Sequence, residues 1–74
     1  MRGLNKGIDM TIFLRRPAVE SRVALSRSQI YALMARGQFP KPVRLGPASV
    51  AWVEDEITLW QEQRISESRN TKAA

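Results

Sequence analysis

Leu25-Ser26-Arg27-Ser28-Gln29-Ile30-Tyr31-Ala32-Leu33-Met34-Ala35-Arg36-Gly37 reads as a complete short helix with both of its ends written into the chain. Ser26 and Gln29 stand in the S-x-x-Q relation of a capping box. In that motif the serine hydroxyl takes the amide of Gln29, and the glutamine side chain takes the amide of Ser26. Leu25 and Ile30 flank the box as a hydrophobic staple. At the far end Arg36 suits the negative pole of the helix, Gly37 accepts a left-handed conformation, and Pro40 forbids continuation. The spacing predicts a helix over Arg27 to Arg36.

At about 100° per residue, Ile30, Leu33 and Met34 share one narrow face. Opposite them lie Ser28, Ala32 and Ala35, with Arg27, Gln29, Tyr31 and Arg36 at the margins. An ordinary solvated helix face carries acids and bases in i, i+4 pairs, whereas this one holds no acid. Small side chains let another backbone come close, and hydroxyl, amide and guanidinium groups are those that hydrogen-bond base edges and phosphates.

Upstream, Pro17 is placed to open a helix that ends near Val23, with Ala18, Val19 and Val23 on its buried side. Only Ala24, Leu25 and Ser26 separate the two helices. A link this short forces a steep crossing of the helix-turn-helix type, with the second helix as the recognition helix. Short connections also occur in small helical domains that bind nothing, so the pair alone does not decide the matter. Ile12-Phe13-Leu14 supplies core or a brief strand. Downstream, two prolines stiffen Gln38-Phe39-Pro40-Lys41-Pro42, and Phe39 plugs the core beneath the helices.

Val43-Arg44-Leu45 and Val50-Ala51-Trp52-Val53 then read as strands joined by Gly46-Pro47-Ala48-Ser49, a β-hairpin and a candidate wing. From it Lys41, Arg44 and Ser49 reach phosphates, while Trp52 packs inward. The competing reading makes the two cations solvated edge charges that discourage strand aggregation. An amphipathic helix follows, N-capped by Asp55 and ending near Ser66. Glu54, Asp55 and Glu56 suit its positive pole, and Val53, Ile57, Trp60 and Arg64 form its stripe. Leu59 lies off that stripe, either as a contact for another subunit or as a lone exposed leucine.

The expected architecture is α+β and mostly helical: a small winged helix-turn-helix with three helices and a two-stranded β-hairpin wing. It comprises a flexible N-terminal arm over 1–11, a DNA-binding domain over 12–66 and a flexible polar tail over 67–74. Met10 offers an alternative translation start. Leu14, Val19, Leu25, Ile30, Leu33, Met34, Phe39, Leu45, Trp52, Ile57 and Trp60 supply one nucleus. A core this small gains stability from association or from its ligand, so oligomers on DNA are expected.

With 74 residues there is room for one small domain, and the chain has neither cysteine nor histidine. That inventory removes disulfides, cysteine or histidine metal sites, a hydrolytic triad and a histidine general base. No enzyme activity and no cofactor are expected. The formal net charge of +5 favours a polyanionic partner. Its distribution is sharper than its sum. Arg15, Arg16, Arg22, Arg27, Arg36, Lys41 and Arg44 face one acid, Glu20, whereas Glu54, Asp55, Glu56, Glu62 and Glu67 gather towards the C-terminus. No apolar run approaches the ~20 residues of a membrane span, and no signal-peptide core is present, so a cytoplasmic protein without a membrane partner is expected.

The succession Leu14-Arg15, Val19, Leu25 to Tyr31, Gly37 to Gly46, Val50-Ala51-Trp52 and Glu56 to Trp60 closely resembles the AlpA family of small phage and prophage regulators. The resemblance runs from about Leu14 to Arg64. It implies a winged helix-turn-helix related to phage excisionases and to the N-terminal domain of MerR-type regulators, acting on double-stranded DNA near genes for integration and excision. By that pattern Ser26, Arg27, Ser28 and Tyr31 face the major groove, and Lys41, Arg44 and the Ser49 turn face the flanking backbone. Two departures stand out. Members usually carry glycine where this chain has Ala24, so the corner is expected to be strained by on the order of 1 kcal/mol or turned differently. They carry an apolar residue at Arg22, which thereby becomes a candidate extra phosphate contact.

Three functions fit these residues. The first is a transcriptional regulator that activates an integrase or other prophage gene. The second is a recombination directionality factor that bends attachment-site DNA, with integrase as partner. The third is a protein-interaction module such as an antirepressor that binds an acidic surface.

Overall fold

The computed structural model describes residues 11–70, so all but the last residue of the expected N-terminal arm, and 71–74 of the expected tail, lie outside it. Along the chain run β1 (Phe13–Leu14), α1 (Arg16–Val23), α2 (Arg27–Ala35), β2 (Val43–Gly46), β3 (Ser49–Val53) and α3 (Glu54–Asn70). The fold is the expected small winged helix-turn-helix, α+β and mostly helical. One feature exceeds expectation: the hairpin is part of a three-stranded antiparallel sheet in the order β1-β3-β2. Leu14 pairs with Trp52 and Phe13 with Val53. The partners are far apart in sequence and β1 has two residues, too few to display a strand period.

Helix α2 forms as its ends dictate. Ser26 Oγ accepts from the Gln29 amide at 3.2 Å, and Gln29 Oε1 accepts from the Ser26 amide at 2.9 Å. Leu25 packs against the core that contains Ile30. At the C-terminus the Gln38 amide reaches Leu33 O at 2.8 Å and the Gly37 amide reaches Met34 O at 3.0 Å, the two bonds of a Schellman motif. Gly37 sits at φ +72° in open space, and Arg36 is the C-cap residue just beyond the last helical position.

Helix α1 begins at Arg16, one residue before Pro17, and ends on Ala24 at φ 59°, ψ 36°. Alanine there takes the left-handed conformation that glycine adopts without cost. The Ala24 amide still closes the helix on Glu20 O at 2.9 Å. The strained corner is present, and this sets how α1 meets α2.

The core is Val19, Ile30, Phe39, Trp52 and Ile57, each at most 5% exposed, with Leu14, Val23, Leu25, Leu33, Met34 and Trp60 packed around it. Two expected members behave otherwise. Ala18 is exposed. Leu45 is 46% exposed because β2 carries an irregularity between Arg44 and Gly46, where Leu45 loses its cross-strand partner and turns outward. The hairpin turn is Pro47-Ala48 alone, since Gly46 and Ser49 already pair.

Helix α3 corrects two further expectations. It starts at Glu54 with no intervening loop, and the Glu54 amide donates to Ile12 O at 2.8 Å. Asp55 is therefore inside the first turn and is not the N-cap. The helix also continues to Asn70, past the end expected near Ser66. Its last turns are polar, and Arg69 complements the negative pole there.

Candidate nucleic-acid interface

Two indoles fix the segment between α2 and the hairpin. Trp52 Nε1 donates to Pro40 O at 2.9 Å, and Trp60 Nε1 donates to Gln38 O at 2.8 Å. The Phe39 ring meets Trp60 edge-on, with centroids 4.8 Å apart. An indole N–H at the edge of a core needs an acceptor, and here two backbone carbonyls, one exposed and one part-buried, supply it. The segment that joins α2 to the hairpin is thus held by side chains on β3 and α3.

On α2, Ser28, Ala32 and Ala35 are exposed, as are Arg27, Gln29, Tyr31 and Arg36 at the margins. The Arg27 guanidinium lies 5.7 Å from the centroid of the Tyr31 ring. Stacking of this kind limits the rotamers of both side chains while leaving the guanidinium donors directed outward. Ser26 Oγ and Gln29 Oε1 are engaged in the capping box, which leaves the Gln29 amide nitrogen as that side chain's free donor.

Lys41 is exposed between Pro40 and Pro42. Arg44 is exposed on β2 with Nη2 3.5 Å from Pro47 O, a contact too long to hold it firmly. Ser49, half-buried, opens β3 opposite Gly46.

The ion pairs sort the cations. Arg16 Nε meets Glu20 Oε2 at 3.0 Å, and Arg22 Nη1 meets Glu54 Oε2 at 3.1 Å. Among the described residues Arg15, Arg27, Arg36, Lys41 and Arg44 form no ion pair, and no acid lies on α2, β2 or β3. Arg15, at the head of α1, belongs with the unpaired cations; the basic run in the sequence contained it, but nothing there separated it from Arg16.

Arg22 is not free to meet a phosphate. Besides Glu54, its Nη2 donates to Thr58 Oγ1 at 2.9 Å and to Gln61 Oε1 at 3.1 Å, and Gln61 Nε2 donates back to Arg22 O at 2.6 Å. The side chain ties α1 to α3. An apolar residue would fill that place by packing; here a guanidinium fills it by satisfying three acceptors.

No helix of the described residues is long and apolar enough to cross a membrane. The family model described as prophage CP4-57 regulatory protein (AlpA) matches residues 12–65, from the start of β1 into the second half of α3. An uncharacterized protein of Enterobacteria phage P4, ORF88, is 48% identical over 73% of this chain. The match covers 61% of that phage protein, so this chain corresponds to less than two thirds of its length. The DNA-binding transcriptional activator AlpA of Escherichia coli strain K12 is 39% identical over 69% of this chain and 81% of its own length. With its corner, α2, hairpin and the larger part of α3 inside the matched span, the chain belongs to the AlpA family of prophage regulatory proteins.

Proposed function

We propose that this protein is a sequence-specific, double-stranded DNA-binding transcriptional regulator that activates an integrase or another prophage gene and works in the cytoplasm. The observation that carries the reading is the acid-free exposed face of α2, bordered by cations without acidic partners. A helix of this kind enters the major groove, about 12 Å wide, with its first turn against base edges. Arg27, Ser28 and Tyr31 read bases there. Ser26 and Gln29 hold the helix end and offer the Gln29 amide, while Arg36, Lys41, Arg44 and Ser49 meet the backbone. The activator named among the relatives supports regulation of transcription.

Copies bind neighbouring sites cooperatively through Leu59, which is 54% exposed on α3. Neither a cofactor nor catalysis is required. A gel shift with genomic fragments at moderate salt and excess competitor tests the reading. A discrete retained fragment carrying a promoter supports activation. Retention of an attachment site alone would transfer the role to a recombination directionality factor, and no retained fragment would remove the DNA reading altogether.

A further inference from the structure

Helices α2 and α3 enclose a groove of about 550 Å³ whose walls include Gln29, Ala32 and Arg36 on one side and Trp60, Gln61 and Arg64 on the other. None of the residues lining it is acidic. Arg22 at its end is already neutralised by Glu54, which leaves Arg36 and Arg64 as the cations able to act there. Arg64 lies 5.4 Å over the Trp60 ring, and that ring is itself fixed by Gln38 O and Phe39. Arg64 pairs with Glu67, one turn on, at 3.7 Å, with both side chains more than half exposed, and on its other side it borders a second groove that holds Glu56 and Glu67. Such a pair is weak and exchangeable.

A helix lying in the major groove is flanked by phosphate backbone, so the element that borders its exposed face meets phosphates. On the Gln29–Arg36 side of α2 that element is α3. From this juxtaposition we infer that Arg64, held on Trp60 across the groove from Arg36, is a DNA phosphate ligand, and that α3 contributes to binding as well as to the core. The inference rests on the proposed DNA-binding function and adds a residue to it. Arg64 was legible in the sequence only as part of the stripe that packs α3; in the fold it lines the groove beside α2, with its guanidinium over Trp60 and more than half of its side chain exposed.

The test compares wild type, Arg64→Gln, Arg64→Lys, Arg44→Ala and Arg69→Gln for binding to a retained fragment and to random duplex over a range of salt. Arg64→Gln is expected to lower affinity on both duplexes by about 8-fold at 0.1 M salt and to make the log–log slope shallower by about 0.9, the value for one phosphate. Arg64→Lys keeps the slope, and Arg69→Gln, which removes the same charge outside the groove, keeps slope and affinity. Circular dichroism melts confirm that each variant is folded at the assay temperature. An unchanged slope in folded Arg64→Gln overturns the inference and leaves the groove to a protein partner, and equal losses in Arg64→Gln and Arg69→Gln overturn it by showing a mere net-charge effect. If Arg44→Ala still flattens the slope, the DNA reading survives that failure; if wild type shows no salt-dependent binding, both fall together.

Discussion

Ala24→Gly should make this protein more stable, against the general rule that glycine destabilises. Ala24 holds φ 59°, ψ 36° at the end of α1, and its side chain is exposed. Placing an L-residue in the left-handed region costs about 1–2 kcal/mol, which glycine avoids. Against that gain, glycine gives the unfolded chain more freedom, worth about 0.5–1 kcal/mol. Because the methyl group is exposed, little packing is lost. The net expectation is stabilisation by about 0.5–1 kcal/mol, or a rise in Tm of about 2–8 °C for a domain of this size. Thermal melts followed by circular dichroism at fixed protein concentration measure it, and affinity for a cognate duplex well below Tm should change less than about 2-fold. A lower Tm for Ala24→Gly would mean that the corner is not strained by the alanine.

The converse holds at Gly37, where φ is +72° and the space around it is open; Gly37→Ala should cost about 1 kcal/mol from backbone strain alone, read as a lowered Tm. Arg22→Ala should destabilise by about 1–2 kcal/mol, because it strands Glu54 and two polar acceptors that are partly solvated, while the salt slope of DNA binding stays at the wild-type value. Trp52→Phe removes a buried indole and its bond to Pro40 O, and should lower stability by about 1–3 kcal/mol in chemical denaturation. Leu59→Lys should abolish cooperative binding to repeated half-sites and leave single-site affinity intact; cooperativity that survives the substitution excludes Leu59 as the contact.

What the sequence made legible was chiefly local. The capping box at Ser26 and Gln29 and the glycine stop at Gly37 each depend on residues a few positions apart and formed as expected; the hairpin formed too, with the two residues Pro47-Ala48 as its turn in place of the expected four from Gly46 to Ser49. Tertiary context decided the rest. Leu45 reads as core by alternation until the irregularity in β2 releases it. Asp55 reads as a cap until Ile12 O, more than forty positions upstream, takes the Glu54 amide and lets the helix start directly from the strand. Arg22 reads as a free cation because its partners, Glu54, Thr58 and Gln61, are brought to it only by the packing of α1 against α3. The candidate interface was legible as a pattern of residue types on α2 and the hairpin. Which cations are neutralised, and that Arg64 stands beside α2, required the fold.

Whether the first turn of α2 reads bases is decided by affinity measurements across a set of duplexes. Wild type and Arg27→Ala would be titrated against the cognate site, a panel of single-base-pair variants and random duplex. With roughly 4–6 phosphates neutralised, wild-type binding should show a log–log salt slope of about −4 to −5. Arg27, stacked on Tyr31 in the first turn of the recognition helix, can donate two hydrogen bonds to guanine O6 and N7. Its loss should cost about 1–3 kcal/mol at the cognate site and relax preference at one base pair, with random duplex bound nearly as before. Equal losses on every duplex would exclude base reading by Arg27 and reduce it to a backbone contact.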